Sequence, residues 1–576
     1  MIERICPKCR VPMNGEKCIK PNCGCVTKMS STIYWCDKCN IPIFDNVCPI
    51  CGTDGKYVTT DLRPVFPEEN ALISIILENN PARYQASSVW HGSGVYIVDG
   101  KKIRLPITKI NNLSIEQIKQ IKEKYELFAE KIEYHFFDKF VEKFIQANAD
   151  RYNYITEEAV HFVQQYKERY TVDDMMVSFS GGKDSTVTSH VVNRALGTNK
   201  VLHVFGDTTL EFPYTLEYKK RFSKNEESQG VRVLTAKNRE KNFERLCEVV
   251  GPPSRVMRWC CTVFKTGAIQ KTISSAFKDK SNILSFQGIR HSESVSRSKY
   301  ERESESPKIS KQTVVSPIIE WIDYDVWLYI LTTKIDFNYA YRLGWTRVGC
   351  WCCPNNGGWS EFLAKIHMYD KYAHWHDILV DFAKQVGKPD PETYVNEGGW
   401  KARQGGNGLI AAQSSVVSFE PCATDERAFN YALQRPITEE LYELFKPFGY
   451  INMELGNKRL GEVFVVDKAN KVLLILQGRI GGTKLKVIIK DIHIAKARTL
   501  SAAEGKVQCQ LTKYQMCLGC KACESVCRFD AIHVKDDGNG KISYSIDDDK
   551  CKRCTECVGH FDAGCYMRKV LCIKRL

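Results

Sequence analysis

No apolar run in this chain approaches the ~20 residues needed to cross a bilayer; the longest, such as Val472 to Leu476, fall far short of it. No charged, apolar leader opens the sequence, because Met1 runs almost directly into Cys6-Pro-Lys-Cys9. A cytoplasmic location with no membrane association is therefore expected. Also missing is the even scatter of cysteines that marks a secreted disulfide framework. The 26 cysteines are grouped in C-x-x-C units at the two ends and are sparse between them, which is metal-ligand spacing in a reducing compartment. The 43% hydrophobic content is ordinary, and 576 residues are enough for three to five domains with at least one large core.

What is present begins with sulfur. Cys36-x2-Cys39 followed by Cys48-x2-Cys51 makes two knuckles that offer four thiolates tetrahedrally, a compact zinc ribbon. Ahead of it Cys6, Cys9, Cys18, Cys23 and Cys25 supply five candidates for four positions, with Cys23 and Cys25 competing for the last. Residues 1–60 are short of apolar core, so metal is expected to fold them. Zinc is the expected ion, and iron in a rubredoxin-like site is the alternative.

Residues 61–165 read as a hairpin and a long helical region. The hairpin is Val95 to Val98, a turn at Asp99-Gly100, then Lys102 to Leu105. From Ser114, a good N-cap, one amphipathic helical stretch is expected to run to about Ala149, with its Lys and Glu residues on a solvated face. Across 166–400, strands at 175–179, 201–205, 231–235 and 283–287 alternate with helices at 186–196 and 214–224. That predicts an α/β fold with a doubly wound, mostly parallel sheet. Residues 360–388 look helical. Lys401 to Ser414 is rich in Gly, Gln and Asn, and reads as a linker into a mixed α/β segment, 401–505, with strands near 462–466, 472–476 and 484–490. The last unit is expected over 506–576.

Two chemical constellations stand out. Ser180-Gly181-Gly182-Lys183-Asp184-Ser185 is a glycine turn between an apolar strand and a helix, where backbone N–H groups and the helix dipole favour phosphate or sulfate oxygens. It does not have Walker A spacing. The second is adjacent Cys260-Cys261, answered 88 residues later by Cys350 and Cys353. Neighbouring cysteines can hold two corners of one cluster only in an awkward geometry, so the pair is a specific signal.

Together these resemble the iron–sulfur branch of the phosphoadenylyl-sulfate (PAPS) and adenylyl-sulfate reductases, whose sheet is of the adenine nucleotide α-hydrolase-like kind. Asp207-Thr208 with Phe212-Pro213 and Thr215 resembles that family's D-T-x-x-x-F-P-x-T segment. Gly288-Ile289-Arg290 with Ser294 and Arg297, and Ser316-Pro317-Ile318 with Trp321 and Asp325 to Ile330, resemble two more of its segments. The resemblance covers roughly 170–360. It implies substrate binding by Ser180, Gly181, Gly182, Lys183, Asp184, Ser185, Asp207, Thr208, Arg290 and Arg297, and a four-iron cluster on Cys260, Cys261, Cys350 and Cys353. Lys183 and Arg290 would also serve catalysis. The family's C-terminal E-C-G-[IL]-H string, which carries its nucleophile, is absent. Cys422, in Glu420-Pro421-Cys422-Ala423, is the closest stand-in, and a buried structural cysteine is the competing reading.

Cys517-x2-Cys520-x2-Cys523-x3-Cys527 followed by Cys551-x2-Cys554-x2-Cys557-x7-Cys565 resembles a two-cluster ferredoxin. That resemblance implies one cluster on Cys517, Cys520, Cys523 and Cys565, and another on Cys551, Cys554, Cys557 and Cys527. Three [4Fe-4S] clusters are then expected, one central and two C-terminal, besides zinc. The formal charge of +14 overstates the basicity. Each tetrathiolate zinc site or oxidised four-iron cluster carries about −2, so two zinc sites and three clusters would leave roughly +4. The expected activity is assimilatory reduction of an adenosine phosphosulfate to sulfite, with PAPS favoured slightly over adenylyl sulfate. Electrons would arrive through the fused domain from an external ferredoxin or thioredoxin, and a homodimer is allowed. The rival is an ATP-pyrophosphatase-type sulfur transferase acting on tRNA or DNA, although the corrected charge disfavours a nucleic-acid partner.

Overall fold

The computed structural model describes residues 31–576 except 225–230, 240, 256, 295, 307–311, 403–416, 518, 520, 521, 526, 528, 537–541, 560–572 and 576. Of the first thirty it describes 3–5, 12, 13, 18, 23 and 28–30. Cys6, Cys9, Cys25, Cys520 and Cys565 lie outside the described residues.

Near the N-terminus, strands Ile33–Cys36, Ile41–Ile43 and Lys56–Thr59 form a small antiparallel sheet. Each of its two cysteine turns closes the same way: Asn40 N–H reaches Cys36 O and Gly52 N–H reaches Cys48 O, both at 2.8 Å. Asn40 and Gly52 take the positive φ that such a turn needs. Next comes a four-stranded sheet whose hairpin joins Val95–Val98 to Lys101–Ile103. Asp99 and Gly100 both have positive φ, as a two-residue turn with right-handed strand twist requires. A Cβ on Gly100 would lie 2.8 Å from the Trp35 ring nitrogen, so this hairpin packs directly on the ribbon.

The single helical stretch expected from Ser114 to Ala149 is instead Ile115–Ala129 and His135–Ala147, followed by Ala149–Gln164. Ser114 does cap the first, in a reciprocal box with Gln117. The chain turns at buried Asn148, whose side chain donates to Phe144 O at 2.7 Å. It also accepts from Phe44 N–H at 2.9 Å and from the Tyr324 hydroxyl at 2.7 Å. An amide that hydrogen-bonds partners on three segments, two of them backbone groups, competes with helix continuation.

The central sheet has the order 233–237, 202–207, 175–179, 283–287, 312–315, 303–305, and all neighbours are parallel except the final edge pair. Met175, Met176, Val177 and Phe179 are all buried, as a strand covered on both faces demands. Because the order runs outward in both directions from Met175–Phe179, the switch point lies at that strand's carboxyl end, where open α/β sheets bind ligands.

Residues 417–489 supply six strands of a seven-stranded sheet, and the seventh, Ile573–Arg575, comes from the far end of the chain. Helix Leu500–Met516 runs through the boundary expected at 505/506. The mixed segment and the cysteine-rich C-terminal segment therefore share one sheet and one core. In the latter, strands Ile532–Asp536 and Ile542–Ile546 pair, and short helices Ala522–Ser525 and Glu556–Gly559 lie within the two cysteine runs and carry Cys523 and Cys557. Among the described residues, no helix is long and apolar enough to cross a membrane.

Candidate active site

The loop 180–185 sits at the switch point. Gly181 has φ +71°, and a Cβ there would meet Thr215 Cγ2 at 2.9 Å. Ser185 Oγ donates to Gly182 O at 2.9 Å and accepts Ser180 N–H at 3.1 Å, tying the loop to the helix it starts. The N-cap residue, Gly182, has no side chain to close helix Lys183–Leu196. The Lys183 N–H is held by the Tyr341 hydroxyl at 3.0 Å. On the far side the chain after strand Ile283–Gln287 presses in, since a Cβ on Gly288 would lie 2.7 Å from the Asp184 carbonyl.

Lys183 and Arg290, expected to grip an anion, are both buried in a quartet with two carboxylates. Lys183 Nζ lies 3.3 Å from Asp184 Oδ2 and 3.2 Å from Asp323 Oδ1. Arg290 reaches Asp184 through Nε and Asp323 through Nη2, each at 2.6 Å. Burial works to strip the proton from Lys183, but Asp184 and Asp323 outweigh it and hold the ammonium above its ordinary range. Burial likewise opposes ionisation of Asp323, and Lys183 and Arg290 overcome it, so that carboxyl lies well below its usual range.

Arg297 is less enclosed. It pairs with Glu293, and burial together with nearby Arg347 pulls its guanidinium below the usual range. Arg347, exposed on the segment that runs over the loop to Cys350, had no motif to mark it. Asp207 accepts Thr209 N–H at 2.9 Å and Lys237 Nζ at 3.1 Å. Thr208 hydrogen-bonds to Glu211 at 2.7 Å, and its hydroxyl lies 3.5 Å from Cys350 Sγ. His291 faces Glu320 and the Tyr300 carbonyl.

Cys260 and Cys261 lead into a single stretch of π-helix, Cys261–Thr266, the kind of widened turn found at functional sites. The Cys261 thiol, burial and the neighbouring Cys350 raise the Cys260 thiol well above its ordinary range. Burial and Glu211 push Cys350 up to about 12. Residues 350–354 make a tight turn, with Cys353 N–H on Cys350 O at 3.2 Å, and Trp351 N–H binds Leu210 O at 3.0 Å. Cys352, between Cys350 and Cys353, is buried, and burial raises its thiol well above the ordinary range. Cys261 and Cys350 lie close enough to Cys260 to raise its thiol, but among the described residues the ribbon holds the one group of three or more sulfurs within 4.8 Å of one another.

Helix Ala522–Ser525 of the C-terminal segment packs against that π-helix and the helix following it, Gly267–Ala276. Burial, then Cys523, Cys557 and Cys517, push the phenol of Tyr544 well above its usual range. Burial raises the Cys551 thiol, and Cys527 and Cys554 add to the rise.

In the ribbon, Cys36, Cys39, Cys48 and Cys51 have sulfurs within 4.8 Å of one another. Cys36 is 3.4 Å from Cys51, and Cys48 is 3.8 Å from Cys39. Tetrahedral zinc with bonds near 2.3 Å needs sulfur separations of about 3.8 Å, so these four residues fit zinc. Cys18 is buried and Cys23 half-buried; the rest of their expected set is outside the described residues.

Cys422 follows strand Val417–Pro421 in the seven-stranded sheet, outside the sheet that carries the loop. Its N–H binds Ala428 O at 2.9 Å, and hydrogen bonding with Thr424 lowers its thiol from the ordinary range.

Sequence reasoning missed Asp323. The motif drew attention to Asp325, which instead forms a buried ion pair with Arg151 at 2.8 and 2.9 Å. No local signal separates the two aspartates.

The phosphoadenosine phosphosulfate reductase domain family matches residues 174–356. An uncharacterized protein of Methanocaldococcus jannaschii is 31% identical over 257 residues, 45% of this chain and 51% of that protein. The chain thus spans about half the length of that relative. An adenosine 5′-phosphosulfate reductase of Bacillus mycoides is 24% identical over 183 residues, 31% of this chain and 73% of that enzyme. The crystal structure of a phosphoadenylyl-sulfate reductase from Candida auris, in complex with phosphate, aligns with 33% of this chain and 94% of its own, at 14% identity and TM-score 0.25.

Proposed function

We propose that the chain, whose residues 174–356 match the phosphoadenosine phosphosulfate reductase domain family, reduces an adenosine phosphosulfate to sulfite with electrons delivered through its own C-terminal segment. The observation that carries the reading is the contact between Thr208 and Cys350. Thr208 follows the strand beside the one that ends in the loop, so the contact brings Cys350 to the carboxyl-end edge of the sheet, where an anion would bind.

The first-turn N–H groups of helix Lys183–Leu196 receive the phosphosulfate oxygens, with Arg297 and Arg347 at the rim. The buried quartet supplies a fixed electrostatic floor beneath them. A cysteine thiolate attacks the sulfur; the S–O bond breaks, and the adenosine phosphate leaves with the oxygen and its electron pair. Two electrons then cleave the resulting S-sulfocysteine to thiolate and sulfite. Cys260, Cys261, Cys350 and Cys353 would hold the central cluster, and the C-terminal cysteines two more. Such clusters, when bound, supply one-electron transfer. Packing of helix Ala522–Ser525 on the π-helix after Cys260-Cys261 supports an internal route between them.

One observation favours the rival reading. Cys422, the expected nucleophile, lies on a different sheet from the loop, and sulfur transfer driven by ATP cleavage would not need it there. The deciding experiment titrates the reduced, anaerobically purified protein separately with PAPS, adenylyl sulfate and ATP, assaying sulfite and pyrophosphate. Sulfite from either ester without nucleic acid is expected. Pyrophosphate from ATP dependent on tRNA or DNA, without sulfite, would overturn the proposal.

A further inference from the structure

Residues 61–165 lie outside the matched domain, yet the chain just after the ribbon sends one carboxylate into the site. Asp61 Oδ2 accepts the Asp323 N–H at 3.1 Å, and Oδ1 accepts the Tyr324 N–H at 3.0 Å. These are the first two N–H groups of helix Asp323–Thr333, whose own N-cap, Ile322, has no side-chain oxygen. The helix is therefore capped in trans by a residue 262 positions away in sequence, which satisfies donors that would otherwise be orphaned. The placement is close-fitting: a Cβ on Gly92 would come within 2.2 Å of the Asp61 carbonyl oxygen.

Resting on the reading above, we propose that Asp61 is a positioning residue of the anion site, that it holds Asp323 in place to grip Lys183 and Arg290, and that it couples substrate binding to uptake of one proton. Residues 61–103 are then an obligatory part of the active site, and the family domain alone is incomplete.

The geometry explains both halves. Asp323 Oδ1 must face Lys183 at 3.2 Å and Arg290 at 2.6 Å at once, and it can do so only if the backbone at 323 is fixed. Asp61 fixes it. The groups facing Asp61 are Asp323 on the capped helix and Arg290 after strand Ile283–Gln287, with Lys183 and Asp184 behind them. From its own module come Arg63, paired with Glu69 at 2.7 Å, and His91, which burial keeps neutral by pushing it down to about 3. Burial, and then Asp323, push Asp61 up to about 7, against the pull of Arg290 and the two N–H groups.

With Asp61 neutral, the two cations and two carboxylates of the quartet balance. With Asp61 ionised, a third negative charge lies under the anion loop. A bound anion therefore favours the protonated form, and affinity falls as pH rises through about 7, by up to roughly tenfold per pH unit above it.

The probe is adenosine 5′-phosphosulfate, whose phosphate and sulfate are ionised throughout this range, titrated calorimetrically into the full-length protein at about pH 6 and about pH 8.5. Wild-type affinity is expected to fall about tenfold or more between the two, and titrations near pH 7 in two buffers of different ionisation enthalpy should show net proton uptake. Asp61→Asn should bind at high pH as the wild type does at low pH, with a flat profile and no proton uptake. A flat wild-type profile without uptake, or an Asp61→Asn variant that keeps the slope, would overturn the proposal. The wild-type measurements decide it even if the variant does not fold. A wild type that shows the expected profile yet releases no sulfite would overturn the reductase reading and leave Asp61 in its role; one that binds no ester at any pH overturns both.

Discussion

The hydroxyl of Thr208 lies 3.5 Å from the sulfur of Cys350. Thr208 follows the second strand of the parallel sheet, and Cys350 follows the helices beyond the last. A residue bridge between Glu211 and Cys350 ties the same two segments through their backbones. The contact joins two segments that are 142 positions apart in sequence.

Metal content tests that union first. Anaerobic preparation should give about twelve irons and one to two zincs per chain, from three four-iron clusters and the N-terminal knuckles. Cys350→Ser should lose about four irons by elemental analysis and leave the C-terminal clusters' spectrum in place. A wild type with about eight irons and full activity would remove the central cluster from the site.

Lys183→Ala should be more damaging than loss of one substrate contact. It strands Asp184 and Asp323 as buried charges with only Arg290 to answer them, and breaking such a pair costs about 3–5 kcal/mol. Denaturant unfolding should therefore register Lys183→Ala strongly. Arg297→Ala, at the rim, should weaken ester binding about tenfold to a hundredfold with little change in stability. Equal stability of Lys183→Ala and wild type would show that the quartet is not the floor of the site.

Electron entry is tested at Cys523. Cys523→Ser should damage one C-terminal cluster and abolish turnover with low-potential one-electron donors. Single-turnover formation of the S-sulfocysteine, followed by mass spectrometry, should survive because attack at sulfur needs no external electron. Equal loss of both steps would assign the segment a structural role.

Cys48→Ser should remove the ribbon's zinc and lower the melting temperature by several degrees, since a lost structural metal is lost folding free energy. The effect should reach beyond the ribbon, because Trp35 packs under Gly100, and Phe44 with Tyr324 shares the Asn148 amide. Hydrogen exchange should rise in helix Asp323–Thr333 as well as in the ribbon.

Salt dependence separates the reductase from its rival. A nucleic-acid enzyme loses affinity with a log–log slope near −0.9 per phosphate contact on duplex DNA and about −0.7 on single strands. A chain carrying the expected two zinc sites and three clusters would have a charge of roughly +4 and should bind tRNA and DNA weakly, with a shallow salt slope, in filter-binding or anisotropy assays.

The sequence by itself determined the local chemistry. Apolar strands, glycine turns and C-x-x-C knuckles are short-range patterns, so the parallel sheet, the 180–185 loop, the ribbon and the Asp99-Gly100 hairpin were all legible in it. The Cys260-Cys261 and Cys350–Cys353 motifs are short-range patterns too, but among the described residues the ribbon holds the one group of three or more sulfurs within 4.8 Å of one another. What the sequence could not reveal was pairing between distant segments. Lys183 and Arg290 read as anion ligands because their motifs place them at strand ends, and only the fold shows that Asp184 and Asp323 already hold them. Asp323 and Asp325 stand two residues apart on one helix; the first faces the site and the second faces Arg151, a choice made by which helix face meets which neighbour. Asp61 carries no motif at all, because capping a helix needs only a carboxylate at the right place, and tertiary packing alone brings one there. The seven-stranded sheet, joined by Ile573–Arg575, likewise unites segments that composition had separated. Local patterns are written in neighbouring residues; charge balance and capping across the site depend on contacts that only the folded chain creates.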